Sequence, residues 1–179
     1  LHELGHALAA RWFGIPTQDI TLLPIGGVAR LARMPRRPLH ELVVAVAGPM
    51  VNVVIAAVLF ASLWPASELN PGTLFPFSSD VFLQQLMWTN LVLVAFNMLP
   101  AFPMDGGRVL RALLAMVMNY SSATRVAATI GQVFAMGFAL LGFVNPFLFL
   151  VAVFIFLGAG GEARIVEMQE RLRGVTVRD

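Results

Sequence analysis

Leu42-Val43-Val44-Ala45-Val46-Ala47-Gly48-Pro49-Met50-Val51-Asn52-Val53-Val54-Ile55-Ala56-Ala57-Val58-Leu59-Phe60-Ala61-Ser62-Leu63-Trp64 contains no charged side chain and is followed at once by Pro65, a strong helix stop. A helix needs roughly 20 mostly apolar residues to cross a bilayer, and this run is long enough. Val81 to Met104 is a second uncharged run, broken near its end by Pro100 and Pro103. Val126 to Gly161 is a third. As one helix it would reach about 54 Å against a hydrocarbon core of ~30 Å, so it divides into two helices, near 122–143 and 146–161, at the turn dipeptide Asn145-Pro146. Leu1 to Phe13 reads as the tail of a further helix. The chain opens without an initiator Met, so it reads as a fragment of a longer protein. The composition agrees: of 179 residues 58% are hydrophobic and 12% charged, about half the charge of a soluble domain. A water-soluble globule, a disordered chain and a nucleic-acid binder are excluded, since 12 basic against 10 acidic groups make no basic field. With no cysteine, a disulfide framework and a thiolate metal site are excluded as well.

All the bases are arginine, and their positions orient the chain. Arg11, Arg30, Arg33, Arg36 and Arg37 follow the first helix; Arg108, Arg111 and Arg125 lie between the 81–99 and 122–143 helices; Arg164, Arg171, Arg173 and Arg178 follow the last. Pro65–Asp80 and the Asn145-Pro146 turn carry none. Alternating helices place the arginine-bearing stretches on one side, which the positive-inside rule makes cytoplasmic. Trp12 and Trp64 above all, with Trp88, are candidate interface anchors, and His40 reads as an interfacial residue. Val109–Met118 reads as a short half-embedded helix that stays on the inner side.

The chemistry lies in two short stretches. His2-Glu3-Leu4-Gly5-His6 sets two imidazoles one helical turn apart on one face, where both can reach a zinc ion, with Glu3 beside the metal to take a proton from bound water. A hydrogen-bonded core pair is the bland alternative, but two imidazoles and a carboxylate in an apolar helix are costly without a function. Zinc needs a third protein ligand, and the candidate is Asp105 in Asn97-Met98-Leu99-Pro100-Ala101-Phe102-Pro103-Met104-Asp105-Gly106-Gly107. Its alternative role is to cap the helix beginning near Arg108. The orientation argument favours the ligand: the first helix runs inward with His6 about 7.5 Å short of Arg11, and the 81–99 helix also runs inward, so both stretches reach the inner face.

Together, His-Glu-x-x-His and Asn-x-x-Pro-x-x-Pro-x-Asp-Gly-Gly resemble the site-2 protease family of intramembrane zinc metalloproteases. Ala47-Gly48-Pro49-Met50-Val51-Asn52 is similar to that family's Ala-Gly-Pro-x-x-Asn, and Leu23-Pro24-Ile25-Gly26-Gly27-Val28-Ala29 to its Gly-Gly loop. The resemblance covers nearly the whole chain. It implies that His2, His6 and Asp105 bind Zn2+, that Glu3 is the catalytic acid/base, and that Asn97 and Asn52 position substrate or polarise the scissile carbonyl. It also implies the small archaeal and bacterial branch, which has six membrane helices and often continues into cytoplasmic CBS domains with a nucleotide ligand; Gly174-Val175-Thr176-Val177-Arg178-Asp179 looks like a lead-in to one. No PDZ domain is inserted between Asp19 and Pro38.

The reading is an all-α polytopic membrane protein, a bundle of about five membrane helices (a sixth missing upstream) with a small β-hairpin-like loop. Residues 1–162 form the membrane-embedded core and 163–179 a cytoplasmic linker. The expected activity is hydrolysis of a peptide bond in or near a transmembrane segment of a substrate protein, at a site near the cytoplasmic face of the cell membrane. A metal-binding transporter or sensor on the same fold is the rival, and Glu3 speaks against it, since a ligand-only site has no need of that carboxylate. Extended substrate is expected to add as a strand beside Gly26, Gly27 and Val28. The topology predicts that a cysteine at Ser79 labels with an impermeant reagent from outside, and one at Ala32 only after the membrane is opened; the reverse pattern rejects the orientation.

Overall fold

A computed structural model describes residues 1–15, 17–23, 26–31, 37–63 and 79–172. Pro24-Ile25, Trp64, most of the stretch Pro65–Asp80 and the ending Gly174–Asp179 lie outside them. The elements run α1 (His2–Trp12), β1 (Thr17–Leu23), β2 (Gly26–Leu31), α2 (Pro38–Leu63), α3 (Ser79–Asn97), α4 (Asp105–Leu114), α5 (Tyr120–Leu141) and α6 (Pro146–Leu172). Among the described residues three helices are long and apolar enough to cross a membrane, at Pro38–Leu63, Tyr120–Leu141 and Pro146–Met168, and Val81–Asn97 is a shorter apolar one. The expected 146–161 helix continues to Leu172, because residues 162–172, although charged, contain no proline or glycine to stop it. The short helix expected at 109–118 is α4, which starts four residues earlier and ends at Leu114.

The chain forms two compact units, Leu1–Met34 with Val43–Met98, and Pro35–Leu42 with Leu99–Asp179. In the first, α1 ends on a Schellman motif: Gly14 takes a positive φ of 71°, its N–H bonds the Arg11 carbonyl at 3.0 Å, and the Ile15 N–H reaches Ala10 O at 3.0 Å. That closure turns Ile15 into a cluster with Ala10 and Val44. β1 and β2 then pair antiparallel and lie against α1. Gly26 and Gly27 open β2, opposite Leu23 and Leu22, and Val28 pairs with Thr21.

α1 and α2 meet almost backbone to backbone. A Cβ on Gly5 would stand 2.6 Å from the Ala47 carbonyl oxygen and 2.8 Å from Val51 Cγ2. Only glycine allows this approach, because a backbone carbonyl inside a helix cannot step aside.

In the second unit, α5 and α6 form an antiparallel hairpin. Asn145 accepts the Phe147 N–H at 3.1 Å through Oδ1, with Pro146 as the first helical residue, a sharp helix start. Ala123, Ala127, Ala128 and Ala135 are buried on α5, as are Ala152, Ile155 and Ala159 on α6, whereas Leu140 and Leu157 are 70% and 67% exposed. Small residues inside and large ones outside suit a bilayer, where close helix packing rather than water exclusion holds helices together.

These contacts separate two kinds of glycine. Gly5→Ala must part α1 from α2 and is expected to cost about 1–3 kcal/mol. Gly137→Ala, where a Cβ meets nothing within 4 Å, is expected to stabilise α5 by about 0.5–1 kcal/mol. Thermal unfolding in detergent with chelator present measures both; equal shifts would contradict the packing described.

Candidate metal centre

His2 and His6 lie one turn apart on α1, His6 buried and His2 partly so. Their Nε2 atoms are 3.1 Å apart, with the rings edge to face at 81°. Two imidazole nitrogens bound tetrahedrally to one zinc stand about 3.3 Å apart, so the pair fits a shared ion with little adjustment. The orientation of His6 is set from behind: its Nδ1 contacts the Val44 carbonyl oxygen at 2.7 Å. As donor to that carbonyl Nδ1 carries the proton, and Nε2 is left with its lone pair toward His2. Val44, Gly48 and Asn52 recur every fourth residue along one face of α2. The His6 ring lies so close over Gly48 that a Cβ there would overlap it. Pro49 has no N–H to give Ala45, which loosens the helix ladder in the turn that receives His6. One turn further on, Asn52 is 3% exposed, and its side-chain Nδ2 has no hydrogen-bond partner among the described residues. Glu3 lies next to His2 in the first turn and is partly buried. Asn97 spends its amide on its own helix, donating to the Leu93 carbonyl at 3.0 Å.

Asp105 belongs to the second unit and is 6% exposed. It is the first residue of α4 rather than its cap; Met104 holds the cap position, with no side-chain capping bond. A carboxylate in the first turn is favoured by the helix dipole, and Arg108 lies 3.8 Å from it. The loop leading into Asp105 is seated on three glycines. A Cβ on Gly107 would meet the Ala101 and Phe102 backbone at 2.7 Å, one on Gly131 of α5 the Ala101 Cα at 3.2 Å, and one on Gly158 of α6 the Pro103 Cδ at 2.6 Å. Phe102, fully buried, joins Ala127, Ala128 and Ala159 in one cluster, and Ala101 and Met104 join Ala135 and Ile155 in another.

Beneath this loop lies a charge cluster that sequence reasoning missed. Arg111, which the orientation argument counts among the inner-face charges, is 1% exposed. Its Nε and Nη2 reach Glu41 Oε1 at 2.7 and 2.6 Å, and its Nη1 reaches Glu162 Oε1 at 3.4 Å. Burial works against the Arg111 charge, but Glu41, Tyr120 and Glu162 outweigh it and raise the guanidinium pKa above its ordinary value. The available signal was a lone glutamate at one end of each of two apolar runs, Glu41 and Glu162.

The model of Peptidase family M50 matches residues 1–78 and 68–144. The chain is 39% identical over 182 residues to the zinc metalloprotease MJ0392 of Methanocaldococcus jannaschii, covering 100% of this chain and 51% of that one. It is 32% identical over 188 residues to the putative zinc metalloprotease sll0528 of Synechocystis sp., covering 99% and 48%. It thus spans about half the length of the curated relatives it matches. Among solved structures it is similar to the Site-2 Protease from Methanocaldococcus jannaschii, with a TM-score of 0.69, 38% identity and coverage of 100% of this chain and 76% of that one. The histidine pair on one helix, the helices of membrane-crossing length and these likenesses have one explanation: the chain is a membrane protein and belongs to peptidase family M50.

Proposed function

We propose that this protein is a zinc endopeptidase that hydrolyses a peptide bond in or near a transmembrane segment of a substrate protein. The observation that carries this reading is the pair of Nε2 atoms 3.1 Å apart on α1, with His6 Nδ1 tied to a backbone carbonyl and Glu3 following His2 in the same turn. With His2, His6 and Asp105 proposed as its ligands, zinc would have two nitrogens and one carboxylate oxygen from the protein, a donor set of the kind catalytic zinc sites use. Zinc, when bound, supplies a Lewis acid and lowers the pKa of water. Glu3 takes the proton from the attacking water and delivers it to the leaving amide nitrogen. The amide of Asn52, a buried donor without a partner among the described residues, is suited to bond a substrate carbonyl; Asn97 is a second candidate for that task. The site works near the cytoplasmic face of the cell membrane, in keeping with the arginine distribution, and residues 163–179 lead toward a cytoplasmic CBS domain with a nucleotide ligand.

A helical substrate hides its carbonyls in its own hydrogen bonds and has to be held extended. The β1–β2 hairpin lies against α1, and a two-stranded sheet has open edges that an extended segment can join. Gly26, Gly27 and Val28 are proposed as part of that receiving strand.

Glu3→Gln keeps the side chain's shape but removes the base, so zinc remains stoichiometric while cleavage of a single-span substrate in detergent is lost, by about a hundredfold or more. Asp105→Ala lowers zinc content as well as activity. Metal analysis of both purified variants checks this, and normal zinc in Asp105→Ala would remove Asp105 from the ligand set. Val28→Pro withdraws a backbone donor from the strand. Cleavage is expected to fall sharply with zinc content and thermal stability unchanged; normal cleavage, or zinc lost along with activity, leaves the strand-addition idea without support.

A further inference from the structure

We propose that Arg111 is a positioning residue for Asp105, acting through the ring of Phe102. The proposal rests on the reading of Asp105 as a zinc ligand. Arg111 stands six residues beyond Asp105 on α4, too far round the helix to share its face. What it does touch is the loop that leads into Asp105: the guanidinium carbon lies 4.9 Å from the centroid of Phe102, three residues before Asp105. The same carbon lies 5.1 Å from the Tyr120 ring at the start of α5. Glu41, in the first turn of α2, and Glu162 of α6 bond its nitrogens. One side chain thus joins the loop, α4, the first turns of α2 and α5, and the body of α6.

The energetics say what such a cluster is for. A buried ion pair is seldom more stabilising than apolar residues of the same volume, because desolvating both charges offsets their attraction. The ring faces of Phe102 and Tyr120 that flank Arg111 would accept a methionine as readily. An ion pair gives direction instead: the planar guanidinium accepts carboxylates only in its plane and rings only on its faces, so its partners settle in one arrangement. Phe102 is fully buried, and its neighbours Ala101 and Pro103 already press on Gly131 and Gly158. A ring that shifts therefore drags the backbone that delivers Asp105.

The test uses the full-length protein in detergent, with zinc affinity measured by chelator competition, the visible spectrum of the cobalt-substituted protein, and thermal unfolding. The double variant Arg111→Met with Glu41→Gln removes both charges of the close pair at once. It is expected to hold its melting temperature while zinc binding weakens about tenfold or more and the cobalt spectrum changes. Arg111→Lys restores a charge without the planar stack, so zinc binding stays weak in it. Phe102→Leu leaves the ion pair intact and reads the link from the other end; it too is expected to weaken zinc, and it decides the matter if the double variant does not fold. Wild-type affinity and spectrum in a folded double variant, or in Phe102→Leu, would overturn the proposal, and so would full recovery with lysine. Asp105→Ala separates the two levels: if it binds zinc normally, the ligand reading fails and takes this one with it. If Asp105→Ala loses zinc while the Arg111 and Phe102 variants do not, only the positioning role fails.

Discussion

The contact between the His6 Nδ1 and the Val44 carbonyl is the constraint on which the first unit turns. An imidazole can bind a metal through either nitrogen, and a backbone acceptor behind it selects one. To offer that acceptor, α2 must come within hydrogen-bond reach of a side chain on α1, closer than helices with ordinary side chains between them can pack. Gly5 and Gly48 remove the side chains that would intervene, and Pro49 loosens the ladder in the turn that receives the ring. The Schellman end at Gly14 then folds Ile15 back onto Val44, so the carbonyl is held from both directions.

The second unit solves a related problem by different means. Asp105 comes at the end of a loop with little hydrogen bonding of its own, its backbone bonds being local ones such as Met104 N–H to Ala101 O at 3.0 Å. Such a segment would wander unless it were packed, and three helices each present a bare glycine backbone to it. The loop is thus located by van der Waals contact against rigid helices, whereas Phe102 is located by a charge. A buried Arg–Glu pair is an expensive way to fill space and a good way to fix an orientation, since rotating any member costs a hydrogen bond in a medium that offers no replacement.

Apolar surroundings shape both units in the same way. Large side chains such as Leu140 and Leu157 stay on the outside, where lipid accepts them as readily as protein would, and alanine and glycine take the contacts between helices. Helix packing here depends on what has been removed from the interface, and this sharpens the effect of each glycine on the geometry of the site.

Much of this was legible in one dimension. Uncharged runs of membrane length, the Asn145-Pro146 break, and a His-Glu-x-x-His on a helix need only local rules: hydropathy sums over neighbours, and a spacing of four repeats one face. The sequence by itself therefore determined the membrane class, the helices of the described residues and the placing of both histidines on one face of α1. Which glycine marks a helix contact, and which simply faces outward, is not a local property: Gly5 and Gly137 look alike in the sequence, and only the tertiary structure shows that one meets a carbonyl and the other nothing. The pairing of Glu41, Arg111 and Glu162 was likewise hidden, since residues far apart in the chain give no periodic signal. Arg111 counted as one more surface charge until the fold buried it, and the place of a charge relative to lipid, water or another charge is decided by how the helices pack around it.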